Sequence, residues 1–150
     1  MHALTESEMR ALHEALDDEY RAWATYDQVI ADFGDVRPFG NIREAEARHI
    51  EALRRLFVRY GLEVPENPWS GRVERYTDLH QACAAGVKAE IENDRMYDRL
   101  LGMTDRRDIR TVLENLQSGS RQRHLPAFQR CAQRAGQGGR GNRRRRGSRK

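Results

Sequence analysis

Apolar residues recur along this chain at alternating steps of four and three, the spacing of one face of an α-helix. One stripe contains Leu12, Leu16, Glu19, Trp23, Tyr26 and Ile30, and another contains Ile42, Glu46, His49, Leu53, Leu56 and Tyr60. A glutamate stands at the centre of each stripe. Because a helix turns such a face towards the core, an unpartnered carboxylate there is costly. The pattern therefore predicts helices that bury charged groups together with compensating partners.

The residues inside the stripes are those that bind metals. Glu46 and His49 are three residues apart, so they share a helix face and can reach one metal ion or two adjacent ions. A third stripe has Glu90 at its centre and Asp94 one turn later. A fourth stripe turns Ser120 and His124 inward. Each pair alone also suits a solvated helix face, but their recurrence in the stripes favours a metal site.

Turn-forming residues divide the chain into four predicted helices, at about residues 5–33, 38–61, 77–101 and 106–135. Short turns join the first helix to the second and the third to the fourth, which predicts two antiparallel hairpins. The connection at 61–76 has two prolines, two glycines and no helical period. About 16 extended residues can span roughly 53 Å, more than the roughly 33 Å of a 22-residue helix. The predicted fold is an all-α antiparallel four-helix bundle with a long crossover, in which Trp69 anchors the connection.

Charge divides the chain at about residue 135. Residues 1–135 contain 20 basic and 23 acidic side chains, whereas residues 136–150 contain seven basic and no acidic ones. This predicts one domain over 1–135 and a disordered basic tail over 136–150. No apolar run suits a signal peptide or a membrane span, so we expect a soluble, cytoplasmic protein.

The sequence has two cysteines, Cys83 and Cys131, and contains no Cys-x-x-Cys motif. This count argues against a disulfide framework and against a rubredoxin-type iron site. We expect each cysteine to be a small core residue.

Several sequence blocks resemble a known family. They are Asp18-Glu19-Tyr20, Arg37-Pro38-Phe39-Gly40-Asn41-Ile42 followed by Ala45-Glu46-Ala47-Arg48-His49, Cys83 with Gly86-Val87 and Glu90, and His124-Leu125-Pro126-Ala127-Phe128. Over about residues 5–135 the chain resembles the rubrerythrin-related family catalogued as domain of unknown function 2202, in the ferritin-like superfamily. The resemblance implies the metal ligands Glu19, Glu46, His49, Glu90 and His124. It implies two iron ions, with manganese as the alternative, and oxidase, peroxidase or ferroxidase chemistry on O2 or peroxide. Electrons would come from ferrous iron or from a separate, unidentified donor.

The chain departs from the superfamily pattern at one ligand. A sixth ligand, a glutamate, is expected three residues before His124, where this chain has Arg121. A cation cannot ligate a metal, so Asp94 is our candidate for the missing carboxylate. Tyr26 and Tyr97 also lie on inward stripes, where core packing with a satisfied hydroxyl is favoured over a direct role at the metal.

A different class of function stays open at this point. With Arg121 in place of a ligand, the bundle would be a metal-poor or mononuclear binding scaffold. Its tail over 136–150 would then contact nucleic acid through phosphates, without base specificity and with strong salt dependence. Ile50 and Phe57 form a second apolar edge of the second helix, which suits either a homodimer contact or ordinary core.

Overall fold

The structure is a computed structural model that describes the backbone of residues 3–148 and the side chains of residues 3–136. Its elements are α1 (Glu6–Phe33), α2 (Phe39–Arg59), α3 (Leu79–Leu101), α4 (Arg107–Gly119), a π-helical turn (Ser120–His124) and α5 (Leu125–Ser148). Residues 3–148 contain no strand, so the chain is all-helical, as expected of a helical bundle. The fourth predicted helix corresponds to the unbroken run of α4, the π-helical turn and α5.

Both hairpin helices begin where the sequence predicts. At α1, Thr5 Oγ1 accepts a hydrogen bond from the Glu8 amide, and Glu8 Oε1 accepts one from the Thr5 amide. This capping box confirms the predicted start. Helix α2 begins at Phe39, directly after Pro38, without a side-chain cap. The Pro38 carbonyl accepts the first helical hydrogen bond, which places Asn41 inside the first turn.

Two apolar clusters fill the interior, and the inward charged residues lie between them. The first cluster includes Leu12, Leu16, Leu53, Phe57, Tyr97, Leu100, Ile109 and Leu113, and the second includes Tyr26, Val29, Phe39, Ile42, Cys83, Phe128 and Cys131. The chain runs from the first cluster to the second in α1 and in the α4–α5 run, and in the opposite sense in α2 and α3. In each run an inward charged residue or histidine falls between the clusters, so one polar layer crosses the core.

The connection between α2 and α3 lies along α1. Trp69 Nε1 donates to Asp17 Oδ1 at 2.9 Å, and Arg75 Nε donates to Asp32 Oδ2 at 3.0 Å. These two aspartates are separated by about 22 Å of helix. The connection therefore follows about half the length of α1, and Trp69 anchors it there as the sequence predicts.

Two sequence expectations about packing are settled by the structure. Cys83 and Cys131 are both buried, as expected of core residues, but they are joined as a disulfide between α3 and α5. The expectation of unpaired cysteines is wrong, because the two helices bring their Cα atoms to 5.6 Å, within disulfide range. The second apolar edge of α2 is core: Phe57 belongs to the first cluster, and the half-buried Ile50 packs against it.

Helix α5 extends to Ser148, beyond the end predicted for the fourth helix at 135. The side chains of residues 137–150 lie outside the described part of the structure, so the domain boundary and the disordered tail stay predictions. Each helix within residues 3–148 is too short or too polar to cross a membrane.

Candidate metal centre

Three glutamates and a histidine form the centre of the polar layer. Glu19 of α1, Glu46 of α2 and Glu90 of α3 are only 2, 2 and 4% exposed, and His124 of the π-helical turn is 3% exposed. His49, one turn after Glu46, completes the group with a side chain that is 14% exposed. Each of these residues interrupts an apolar stripe, and packing of the stripes draws all five together.

The five side chains form two triads that share Glu46. In one triad, His49 Nδ1 lies 3.5 Å from Glu19 Oε2 and 3.6 Å from Glu46 Oε2. In the other, His124 Nδ1 lies 3.0 Å from Glu46 Oε1 and 3.5 Å from Glu90 Oε1. Glu46 thus directs one carboxylate oxygen into each triad. The two imidazole rings stack at 5.4 Å between centroids.

Several atoms that converge in the triads lack a hydrogen-bond partner. Four of the converging atoms are buried and make no hydrogen bond: Glu19 Oε2, Glu46 Oε2, His49 Nδ1 and His124 Nδ1. Unsatisfied buried polar atoms are rare in folded proteins. Two ligand atoms about 2.1 Å from one ion lie roughly 3.0 to 3.4 Å apart in octahedral or tetrahedral geometry. The observed separations of 3.0 to 3.6 Å are close to that range, so the donor set fits a metal ion in each triad.

Hydroxyl groups hold the glutamate carboxylates in place. The Tyr97 hydroxyl donates to Glu19 Oε1 at 2.5 Å, and the Tyr26 hydroxyl donates to Glu90 Oε1 at 3.2 Å. Ser120 Oγ donates to the other Glu90 oxygen. Burial raises the pKa of both tyrosines well above the usual value, so they remain neutral donors. The tyrosines are core residues with satisfied hydroxyls, as the sequence favours, and their acceptors are the candidate ligands.

Charge balance within the group comes from the histidines. Burial alone would lower the pKa of His124, but its contacts with Glu46 and Glu90 outweigh burial and raise that pKa to about 9. Burial would likewise raise the pKa of Glu46, and contacts with His124 and His49 instead lower it. A divalent ion would take the place of the imidazolium charge, because a metal-ligating histidine must be neutral at the coordinating nitrogen.

The structure does not bring Asp94 into the group. Its carboxylate pairs with Arg121, whose Nη2 lies 2.8 Å from Asp94 Oδ1, and the Arg121 side chain is half exposed. The sequence argument assumed α-helical turns, in which position 121 shares the face of His124. A π-helix has more residues per turn, so Arg121 leaves that face, while Ser120 stays inward as its place on the apolar stripe predicts. The nomination of Asp94 therefore has no support in the geometry, and Arg121 points away from the candidate centre.

Asp18 is a half-buried acid that was not among the site residues expected from the sequence. Burial, with Glu46 and Glu90 nearby, raises its pKa to about 6, against the lowering effect of a hydrogen bond from Asn93. Its only sequence signal is its position directly before Glu19. Asp18 lines a pocket of about 110 Å³ that reaches Glu46 and Glu90 and also includes Glu92. A second pocket, of about 460 Å³, reaches the group from the side of His49 and His124.

Comparison with known proteins gives the chain a family. No protein-family model matches the sequence. The chain is 30% identical over 141 residues to the uncharacterized protein MJ0754 of Methanocaldococcus jannaschii, covering 83% of this chain and 75% of that protein. It belongs to the MJ0754 family. The crystal structure of hypothetical protein MJ0754 from Methanococcus jannaschii DSM 2661 agrees in fold, with a TM-score of 0.80 and 25% identity over 91% of this chain and 85% of that one. The similarity to MJ0754 supports the fold. Because that protein is uncharacterized, the similarity indicates no activity for this chain.

Proposed function

We propose that this MJ0754 relative is a ferritin-like carboxylate protein that holds two metal ions, iron or alternatively manganese, and acts on O2 or peroxide. The observation that carries the proposal is the convergence of unpartnered buried carboxylate and imidazole atoms in two triads that share Glu46. One ion would lie between Glu19, Glu46 and His49, and the other between Glu46, Glu90 and His124. The ferritin-like superfamily pattern that the sequence resembles implies ligands of these types at these positions.

The path of the chain supports the ferritin-like part of the proposal. The helices pass between the two apolar clusters in the order expected of two hairpins joined by a long crossover. The residues that connect α2 and α3 run along α1, as a crossover between the ends of a bundle must. In such bundles metal ligands project inward from facing helices, which is where this polar layer lies.

The protein side chains would supply the geometry and the dry surroundings. Two ferrous ions at the site would supply two electrons, enough to reduce O2 with two protons to H2O2, or H2O2 with two protons to water. Tyr97 and Tyr26 fix the orientation of Glu19 and Glu90, and Glu46 sets the separation of the two triads. The apolar clusters on either side exclude water from the carboxylates, which strengthens their attraction for a cation.

The smaller pocket offers a route for cations. It reaches Glu46 and Glu90 and is also lined by Asp18 and Glu92, with Arg21 as its one basic residue. Acidic walls concentrate divalent ions by electrostatic attraction. We infer that metal ions enter on this side.

Metal content of a matched pair of variants tests the proposal. Glu46→Gln removes the shared carboxylate, and Glu51→Gln makes the same change at an exposed position of the same helix. In protein supplied with iron or manganese, elemental analysis should find about two metals per chain in the wild type and in Glu51→Gln. Glu46→Gln should hold one or none. Equal metal content in the two variants, or none in the wild type, would contradict the proposal.

Turnover is a separate measurement. Anaerobic protein loaded with about two ferrous ions per chain is mixed with O2 or with H2O2, and ferric iron is followed by absorbance. We expect fast oxidation in the wild type and in Glu51→Gln, and only the slow solution rate in Glu46→Gln. If the wild type binds two metals but neither oxidant oxidises them quickly, the metal site is supported and the redox function is refuted.

A mononuclear or metal-poor scaffold is the second candidate function. The observation in its favour is Ser120, which occupies the inward position where a sixth ligand would stand and already donates to Glu90. This function predicts at most one metal per wild-type chain. Nucleic-acid binding by the tail belongs to the same hypothesis, and deletion of residues 136–150 tests it. DNA titrations of the full chain at two salt concentrations should show binding that weakens with salt, and the truncated protein should lose this binding.

A further inference from the structure

The larger pocket is lined by an unusual concentration of positive charge. Its basic residues are Arg37, Arg48, Arg123, Arg130 and Arg134. They come from the turn before α2, from α2, from the π-helical turn and from α5. Among the side chains of residues 3–136 the lining includes no aspartate or glutamate, although residues 1–135 carry more acidic than basic side chains. We call these five residues the arginine cluster.

The arginine cluster has no carboxylate partners within the described side chains. Seven other arginines do pair with carboxylates: Arg43, Arg59, Arg75, Arg99, Arg106, Arg110 and Arg121. Like charges gathered round one pocket repel one another. A bound anion would relieve it, so the pocket has the electrostatics of an anion site.

The shape of the pocket favours a small molecule. It is a concavity of about 460 Å³, within the usual range for small-molecule sites. Its floor includes the apolar side chains of Ile42, Ala45 and Ala127, which suit an organic portion of a ligand, and His49 and His124 lie at its base. A nucleic-acid backbone tracks a groove or an exposed surface and would leave such a floor unused.

We propose that the arginine cluster binds a small organic molecule with two or more phosphate groups, held over the histidine side of the polar layer. Arginine matches phosphate with paired, charge-assisted hydrogen bonds. A phosphate group carries about 1.5 to 2 negative charges at pH 7, so two groups neutralise most of the five guanidiniums and about three balance them all. Carboxylates would need about five groups for the same balance, more than a molecule of this size offers.

The site is independent of the metals proposed above. Its phosphate ligands are the guanidiniums, and none of them belongs to the two triads. The test therefore uses full-length protein in buffer without divalent metal, where pyrophosphate cannot bind by chelating an ion. Loss of metal binding would leave this result unchanged, and loss of phosphate binding would leave the metal content unchanged.

Calorimetric titration with inorganic pyrophosphate tests the site. Arg48→Ala/Arg123→Ala removes two members of the arginine cluster, and Arg54→Ala/Arg55→Ala removes the same charge from exposed positions of α2 outside the pocket. We expect the first double variant to bind pyrophosphate about tenfold more weakly than the wild type or worse, and the second to bind within about twofold. All four arginines are exposed, so both variants should unfold at the wild-type urea concentration.

Three outcomes would overturn the proposal. Undetectable binding of pyrophosphate to the wild type would remove the site. Equal weakening in the two double variants would mean that net charge or the basic tail, present in both, attracts the anion. A matched titration with the tricarboxylate tricarballylate should be weaker than with pyrophosphate, and tighter binding of tricarballylate would refute the phosphate assignment.

Discussion

Replacing Gly86 by alanine tests the close approach of α3 to α5. A Cβ at Gly86 would lie 2.6, 2.7 and 2.8 Å from three ring atoms of Phe128, below the 3.0 Å that real Cβ contacts keep. Phe128 is completely buried, and its ring packs between Tyr26 and Phe39 at centroid distances of 5.2 and 5.4 Å. The ring cannot move aside without disturbing both neighbours.

The expected magnitude follows from two opposing effects. Alanine is the better helix former by about 0.8 to 1 kcal/mol. Overpacking a filled core costs about 1 to 3 kcal/mol, and three contacts with a confined ring place Gly86→Ala in the upper part of that range. The free energy of unfolding should therefore fall by about 1 to 2 kcal/mol.

Gly86→Ala should also weaken metal binding at the candidate metal centre. Glu90 lies one turn after Gly86 on α3, and His124 lies one turn before Phe128. Pushing the helices apart would lengthen the 3.5 Å separation between Glu90 Oε1 and His124 Nδ1. We expect Gly86→Ala to bind metal more weakly than the wild type in the triad that contains this pair.

Urea unfolding followed by circular dichroism measures the change in stability. Gly136→Ala is the control, because a Cβ there would meet His80 Nδ1 at an ordinary 3.7 Å and should leave stability equal or slightly higher. In a Phe128→Leu background, Gly86→Ala should cost less, since the ring is gone. A Gly86→Ala protein as stable as the wild type, or more stable, would refute the packing argument.

Two other predictions concern stability. Burial alone would raise the pKa of Glu8, but hydrogen bonds from Thr104 and the Thr5 backbone, with Arg106 nearby, hold it below the usual 4.5. The ionised Glu8 carboxylate therefore stabilises the fold fully above pH 4.5, and this stabilisation is lost as pH falls through the lower pKa of the folded state. Glu8→Gln should lower the free energy of unfolding by about 1 to 3 kcal/mol at pH 7, measured by urea unfolding, and by progressively less in acid. A constant difference at all pH values would contradict this. Cys83→Ser should lower the free energy of unfolding by about 2 to 4 kcal/mol, and denatured wild-type protein without reductant should contain no free thiol; two titratable thiols would rule the disulfide out.

The five residues of the triads could be predicted because each breaks an apolar stripe. Glu19, Glu46, His49, Glu90 and His124 stand where a leucine or isoleucine would continue the 3–4 spacing, and the structure brings all five together. Whether they bind metal stays a prediction. The prediction for the sixth ligand position, Arg121, was wrong because it assumed α-helical geometry throughout the fourth helix.

The backbone at Ser120–His124 explains why the direction of Arg121 was not predicted. The π-helical turn at Ser120–His124 changes the number of residues per turn over one short segment. Pro126, which lacks an amide hydrogen, is a local sign of a bent helix. The apolar stripe places Ser120 inward, but sequence spacing alone does not reveal the π-helical turn, so it could not show that Arg121 turns away from the centre and pairs with Asp94.

The sequence by itself determined the all-helical class, the start of α1, the anchoring tryptophan and the inward side chains, since these depend on local periodicity and capping. Tertiary structure alone decided which helices approach closely. It joined Cys83 to Cys131, gave the tyrosine hydroxyls their carboxylate partners and gathered the arginine cluster around one pocket. These features join residues far apart in the chain, and their meeting depends on how helix faces pack, which no local pattern records.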